Sequence, residues 1–427
     1  MRKGRRHYAW VVFGVAFFTL LAAAGFRSTP GVLIDPLHDE FGWSRGTIGI
    51  AVSVNLVLFG LIGPFAAALM SRYGLRRVVA TALLTISLGA LGTTQMTAPW
   101  QLIALWGVVV GLGSGCMATV FAATVATRWF VSNRGVVTGT LTAASATGQL
   151  IFLPLLSRLA TGVGWRWVGV TIAVSAAAAV PIVVLLLRDD PADLGLLPYG
   201  APADYVPPTR SANPIRTAFT ALRDVRTSGA FWLLFGSFFI CGLSTNGLIQ
   251  THFISAAHDH HIEETTAAGL LALVGVFDVI GTIASGWLTD RVDPRRLLFA
   301  YYALRGLSLM VLDPALDARN AGLWTFMVFY GLDWVATVPP TVALCSQQFG
   351  RDRGPVVYGW VFAGHQIGAA LMAWGAGSIR DATGSYRPAW IIAGVGCLIA
   401  AAGTQRIAPA PPRERETPVR GRTIVTA

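Results

Sequence analysis

Most charged residues in this chain are gathered in intervals between apolar runs of about twenty residues, and that spacing restricts the fold more than any other feature. A helix rises about 1.5 Å per residue, so such a run crosses a hydrocarbon layer about 30 Å thick. In lipid every backbone N–H and C=O needs a partner within the chain, which a helix supplies. Twelve candidate spans are legible: 9–34, 46–70, 78–97, 100–126, 134–160, 165–187, 230–256, 264–289, 295–312, 321–347, 354–378 and 386–405. Only 12 % of residues are charged, where a soluble domain carries roughly 25 %. The expectation is an all-α membrane protein with twelve transmembrane helices in two six-helix bundles.

The net charge of +11 raises nucleic acid as a partner, but the distribution of charge points elsewhere. With both termini inside, 24 of the 32 basic residues fall in inward segments and six outside. Arg27 and Arg305 are left within helices. This asymmetry follows the positive-inside rule and places the protein in the cell (inner) membrane, multi-pass, with lipid and a small molecule as partners and no nucleic acid. Residues 1–187 form the first bundle and 188–229 a cytoplasmic linker rich in Pro, Gly and Asp. Within that linker PIRTAFTALRDVR suits a short amphipathic helix at the interface. The second bundle is 230–406, and 407–427 is a disordered tail.

The two halves echo each other. Ser71-Arg72-Tyr73-Gly74-Leu75-Arg76-Arg77 follows the second span, and Asp290-Arg291-Val292-Asp293-Pro294-Arg295-Arg296 follows the eighth. Internal repeats of this kind are expected of transporters built from duplicated bundles. Both turns resemble the GxxxDRxGRR-like signature loop of the major facilitator superfamily. Gly286, Asp290, Arg291, Arg295 and Arg296 match it in the second half, with Asp293 in place of the glycine. Arg72, Gly74, Arg76 and Arg77 match in the first, with Ser71 in place of the acid. The resemblance implies the major facilitator fold over almost the whole chain. It also implies a cytoplasmic gate in which Arg72, Arg76, Arg77, Asp290, Arg291 and Arg295 latch one state.

Within that superfamily the chain looks most like the bacterial branch of the monocarboxylate transporter family. Three stretches carry the likeness: Glu40-Phe41-Gly42-Trp43-Ser44-Arg45, Trp129-Phe130-Val131-Ser132-Asn133-Arg134 with Gly139, Ala143, Ala144 and Gly148, and Pro191-Ala192-Asp193-Leu194-Gly195-Leu196-Leu197-Pro198-Tyr199-Gly200. Relatives often pair an Asp in the eighth helix with an Arg one turn later that binds the substrate carboxylate. Asp278 matches the acid, but Thr282 stands where the arginine belongs. Arg27 resembles that family's first-helix lysine and can take the cationic role. The arginine and GPxxGG elements of drug–proton antiporters, in the fourth and fifth helices, are absent.

Ionisable groups within spans are functional candidates, because burying them in lipid is costly. Arg27, in GFRSTPG near the outer third of the first span, suits bidentate capture of a carboxylate. Asp278 suits a proton carrier or a structural ion pair, with Arg27 and Arg305 as rival companions. Asp333 and Trp334 lie just before Pro339-Pro340, a backbone disturbance that frees carbonyls. Arg305 reads best as a structural ion-pair partner. His365 suits proton coupling, and Asn246 and Gln250 share a face of the seventh helix. The substrate site is therefore expected at Arg27, Asn246, Gln250, Asp278, Thr282, Asp333, Trp334 and His365, with proton coupling through Asp278, Asp333 and His365. The loop His258-Asp259-His260-His261-Ile262-Glu263-Glu264 lacks an ordered ligand spacing and reads as a solvated turn, so no metal is expected. Four separated cysteines indicate no disulfide framework.

No GxxxxGK[ST], HExxH or nucleophile–base pair is visible, so neither an ATP-driven pump, an enzyme nor a cofactor is expected. The reading is a secondary transporter for a small, monocarboxylate-like organic anion, working by alternating access and coupled to protons. Efflux of an amphipathic compound is the rival reading. A membrane-embedded enzyme or a transport-dead sensor is a remote one.

Overall fold

A computed structural model describes residues 7–117, 119–202, 214–318, 321–350 and 353–408. The tail beyond 408, the middle of the linker and the basic residues of the extreme N-terminus lie outside these.

The spans are α1 (Ala9–Phe41), α2 (Arg45–Tyr73), α3 (Leu75–Thr93), α4 (Pro99–Trp129), α5 (Arg134–Gly162) and α6 (Arg166–Leu186) in the first half. The second half holds α7 (Gly229–Asp259), α8 (Glu264–Thr289), α9 (Pro294–Met310 with Leu312–Ala318, bent by 49°), α10 (Ala321–Phe349), α11 (Gly354–Thr383) and α12 (Arg387–Thr404). Ten of the described helices are long and apolar enough to cross a membrane, and bent α9 makes eleven. The remaining one, α5, has 29 residues, a rise of about 43 Å.

The same pairings recur in both halves. α3 packs on α6 as α9 does on α12, α1 on α5 as α7 on α11, and α2 on α4 as α8 on α10. Between the halves, α2 lies along α11, α5 along α8, and α1 meets α7. The result is two six-helix bundles around a central seam, the major facilitator architecture. Pro214–Val225 forms a helix that packs on α2 and α11, where Trp360 Nε1 donates to the Ala218 carbonyl at 2.9 Å.

Helix 1 runs further than its apolarity suggests. Hydropathy ends it at residue 34, but the helix continues to Phe41. Asp35 is tolerated inside the protein because it pairs with Arg45 at 2.9 Å. Arg27 consequently sits at mid-length of α1 and not near its outer third.

The two arginine turns meet one requirement, capping the next helix, in different ways. Gly74 has φ +89°, and a Cβ there would collide with the Asp189 carboxylate. That carboxylate accepts from Arg76 N at 2.7 Å, so the linker caps α3. In the second half Asp293 does the capping itself, accepting from Arg295 N at 2.9 Å and pairing with the same guanidinium at 2.6 Å. The glycine-to-aspartate departure at 293 thus has a local structural reason.

Candidate functional site

The site is organised by a break in α10. Its helical geometry stops at Asp333 and resumes at Val338. Pro339 and Pro340 lack N–H groups, so the carbonyls one turn earlier lose their helical donors. In a dry interior these need other partners. Of these, the Val335 carbonyl accepts from Val338 N at 2.9 Å and the Ala336 carbonyl takes the Ser285 hydroxyl, while the Asp333 and Trp334 carbonyls, left open where the helix stops, take Nη2 of Arg305. Nε of Arg305 donates to the Asp333 carboxylate and Nη1 to Sγ of Cys241. Arg305 is completely buried. It neutralises an acid and caps the C-terminal, partially negative end of a half-helix.

The break also exposes the Val335 N–H. Oδ1 of Asp278 accepts it at 3.0 Å, together with the hydroxyl of Thr282, also at 3.0 Å. Asp278 therefore keeps company with neither arginine. It is held by two neutral donors, and Thr282, in the position of the family's arginine, is one of them. α8 approaches α10 closely enough for this because residue 281 is glycine; a Cβ there would overlap the Leu332 carbonyl.

A cavity of about 980 Å³ lies between the bundles. Arg27, Asn246, Gln250, Asp278, Thr282, Trp334 and His365, all expected at the site, line it. Asp333 does not, since its carboxylate faces Arg305 behind the wall. The α7 segment Leu243–Ile249 that carries Asn246 is π-helical, a widened turn often found at functional sites. Gln250 donates from Nε2 to the Arg27 carbonyl at 3.2 Å. The guanidinium of Arg27 lies 5.2 Å from the Phe59 ring centroid. Among the described residues no carboxylate pairs with it. His365 lies against Phe238 and Phe362, and its Nδ1 has no hydrogen-bond partner among the described residues.

Gln366 is a lining residue to which the sequence reading assigns no role. It is 1 % exposed, and among the described residues neither amide atom has a hydrogen-bond partner. The signal was its place beside His365, but neighbours on a helix point about 100° apart, which hid their common cavity.

One end of the cavity is shut. On the side away from the arginine turns, Asp35 takes Nη2 of Arg45 and the Ser255 hydroxyl at 2.8 Å, and Tyr386 donates to Ser255 at 3.2 Å. Asp381 accepts from Arg45 N and Gly46 N at 3.2 and 2.8 Å, joining α11 to the start of α2. Toward the arginine turns the lining continues down α5 and α8 to Val136, Gly286 and Trp287, so the cavity opens at that end.

A family model described as the Major Facilitator Superfamily matches residues 15–332 and 239–426. The chain belongs to the Major Facilitator Superfamily. An uncharacterized MFS-type transporter of Bacillus subtilis is 25 % identical over 385 residues, covering 88 % of this chain and 90 % of its own. Monocarboxylate transporter 13 of Bos taurus is 25 % identical over 406 residues, 93 % of this chain and 88 % of the relative. Among solved structures, a bacterial homolog of the human lysosomal transporter Spinster, inward-facing and unoccupied, superposes with a TM-score of 0.75 at 16 % identity. That match covers 94 % of this chain and 97 % of the other. A D-xylose-proton symporter gives a TM-score of 0.74 at 14 % identity, with coverage of 95 % and 99 %. The protein is a multi-pass membrane transporter and not an enzyme.

As a member of this superfamily it moves a solute by alternating access, and the open end at the arginine turns defines one state. In that state the turns make contacts within their own halves. Arg72 lies over Tyr73, Arg291 lies over Trp287, and Arg295 holds Asp293 and the Ile407 carbonyl. Arg77 and Asp290 are exposed.

Proposed function

We propose that the protein is a proton-coupled transporter of an organic monocarboxylate, located in the cell membrane with both termini in the cytoplasm. The observation that carries this reading is the Arg27 guanidinium, a cation at mid-length of α1 that has no acidic partner among the described residues and faces a largely apolar cavity. Charge-assisted, bidentate contact with a carboxylate is what such a group binds best. Relatives named monocarboxylate transporters over nine-tenths of the chain support it. Asn246, Gln250, Trp334, His365 and Gln366 then orient the remainder of the solute. Thr282 holds Asp278.

Coupling follows from charge. Asp278 lines the same cavity, and an ionised carboxylate there repels an anionic solute. The solute therefore binds together with a proton on Asp278, and both leave together. The basic-residue asymmetry supports an inward-facing orientation for the open end. The arginine turns latch the opposite, inward-closed state.

Ligand-induced thermal stabilisation across a monocarboxylate panel, followed by uptake into proteoliposomes, tests this. Losing one charge-assisted contact costs roughly 1.5–3 kcal/mol, about ten- to 150-fold in affinity. Arg27→Gln is expected to weaken binding by that factor. Asp278→Asn is expected to keep solute exchange and lose accumulation driven by a proton gradient. Undiminished affinity in Arg27→Gln overturns the anion reading. The cavity volume favours a second reading, efflux of an amphipathic compound; it predicts that uncharged apolar ligands stabilise wild type and Arg27→Gln equally.

A further inference from the structure

The turn between α7 and α8 does more than reverse the chain. It is a Schellman closure: Ile262 N donates to the Ala257 carbonyl at 2.9 Å and His261 N to the His258 carbonyl at 2.8 Å, with His261 at φ 59°. Buried Ile262 packs under the last turn of α7. This sharp return brings His258, at the end of α7, back beside Glu264, at the start of α8. Asp35 reaches the same point from α1, in the other half of the molecule. A carboxylate oxygen of each acid and a ring nitrogen of His258 all lie within 4.8 Å of one another.

Asp35 supplies the independent observation. It is 2 % exposed. Its Oδ1 is engaged by Arg45 and Ser255, whereas its Oδ2 is buried with no hydrogen-bond partner among the described residues. That oxygen lies 3.9 Å from Nδ1 of His258. A buried carboxylate oxygen left unpartnered is costly, and a ligand that accepts its lone pair removes the cost. Asp39, one helical turn further along α1, is exposed and adds negative charge nearby.

We propose that Asp35, His258 and Glu264 form a divalent transition-metal site, of the zinc class, that bridges the two bundles at their closed end. One imidazole and two carboxylates, with water in the fourth position, are a ligand set zinc accepts. Its donors stand about 3.4 Å apart in a tetrahedral shell, given bond lengths near 2.1 Å. The half-exposed His258 side chain and Glu264 on the rim can close the remaining distance. Because Asp35 belongs to one half and the other two ligands to the second, the set exists only when this end is shut. Zinc bound here therefore favours that state.

The full-length protein in detergent is titrated with zinc chloride while its thermal unfolding is followed, with calcium chloride as the control cation. A saturable rise in midpoint is expected with zinc and not with calcium. His258→Ala and Glu264→Gln each weaken the apparent zinc affinity at least tenfold. His260→Ala leaves it unchanged, since His260 is engaged with Asp313 and Asp317. Asp35→Asn loses it as well, which tests the bridging; if that variant does not fold, the His258 and Glu264 variants carry the test. No saturable zinc shift in the wild type overturns the proposal. So does a zinc midpoint that is the same in the wild type and in both the His258 and Glu264 variants.

Discussion

Replacing Asp333 with Asn keeps the shape of the α10 break and removes one charge from its most buried feature. Arg305 is fully enclosed, so it cannot reach water when its carboxylate is lost. Removing one partner of a buried ion pair costs about 3–5 kcal/mol, because the other charge stays behind unpaired. Here the guanidinium keeps two carbonyls and the negative end of the Ala321–Asp333 half-helix, worth up to about 1 kcal/mol. The lower end of the range, about 3 kcal/mol, is therefore expected. At roughly 2 °C per kcal/mol for a large chain, the unfolding midpoint falls by about 6 °C. Tryptophan fluorescence melting in detergent measures this directly, as the chain has 14 tryptophans. Arg305→Met alone leaves the acid buried and destabilises by a similar amount. The double variant Arg305→Met/Asp333→Asn contains no unpaired charge and is expected to melt at least 2 kcal/mol (roughly) above the additive sum. Additive single effects, or an Asp333→Asn protein as stable as the wild type, would refute the assignment of this pair as the anchor of the break.

Gly281→Ala drives a methyl into the Leu332 carbonyl and is expected to cost about 1–3 kcal/mol in the same melting assay, whereas Gly286→Ala, with open space around it, costs almost nothing. Asp381→Ala removes two acceptors at the start of α2, so a single cysteine placed at Ser378 is expected to react faster with a soluble maleimide as the closed end loosens. Arg295, hydrogen-bonded to Asp293, holds that carboxyl below its ordinary range. Its stabilising contribution is therefore present above the unfolded value, near 3.9, and fades as pH falls through the lower folded one. The pair is partly exposed, so the effect stays below about 1 kcal/mol. It should appear as faster amide exchange at the start of α9 in Asp293→Asn at neutral pH, with the difference from wild type shrinking in acid.

The spans were legible because lipid imposes a length and a composition on each of them. The first was misjudged at its outer end for the same reason. A hydropathy rule stops at Asp35, but the partner that lets this acid remain inside, Arg45, lies across the following turn. The α10 break was announced by Pro339-Pro340. Its position, 334–337, precedes the prolines because a missing N–H is felt one turn earlier. Asp278 was recognisable as exceptional, yet its partner was not. The Val335 N–H becomes available only once α10 has broken, and nothing in the residue type of Val335 signals that. Asp333 and Asp278 look alike in sequence, as lone acids in apolar helices. Packing separates them, giving one an arginine and the other a cavity.

The bond between Asp278 and Val335 N makes the charge of a side chain and the path of a neighbouring helix a single variable. An ionised carboxylate holds the stray N–H firmly and keeps α10 open at its break. A protonated one holds it weakly, and α10 is freer to rewind or pivot about Pro339. On the proposed proton-coupled reading, protonation of Asp278 changes the stiffness of the α10 break as well as the charge of the cavity. On that reading no separate relay between ion and gate is required, because Asp278 itself is bonded to the backbone of the break.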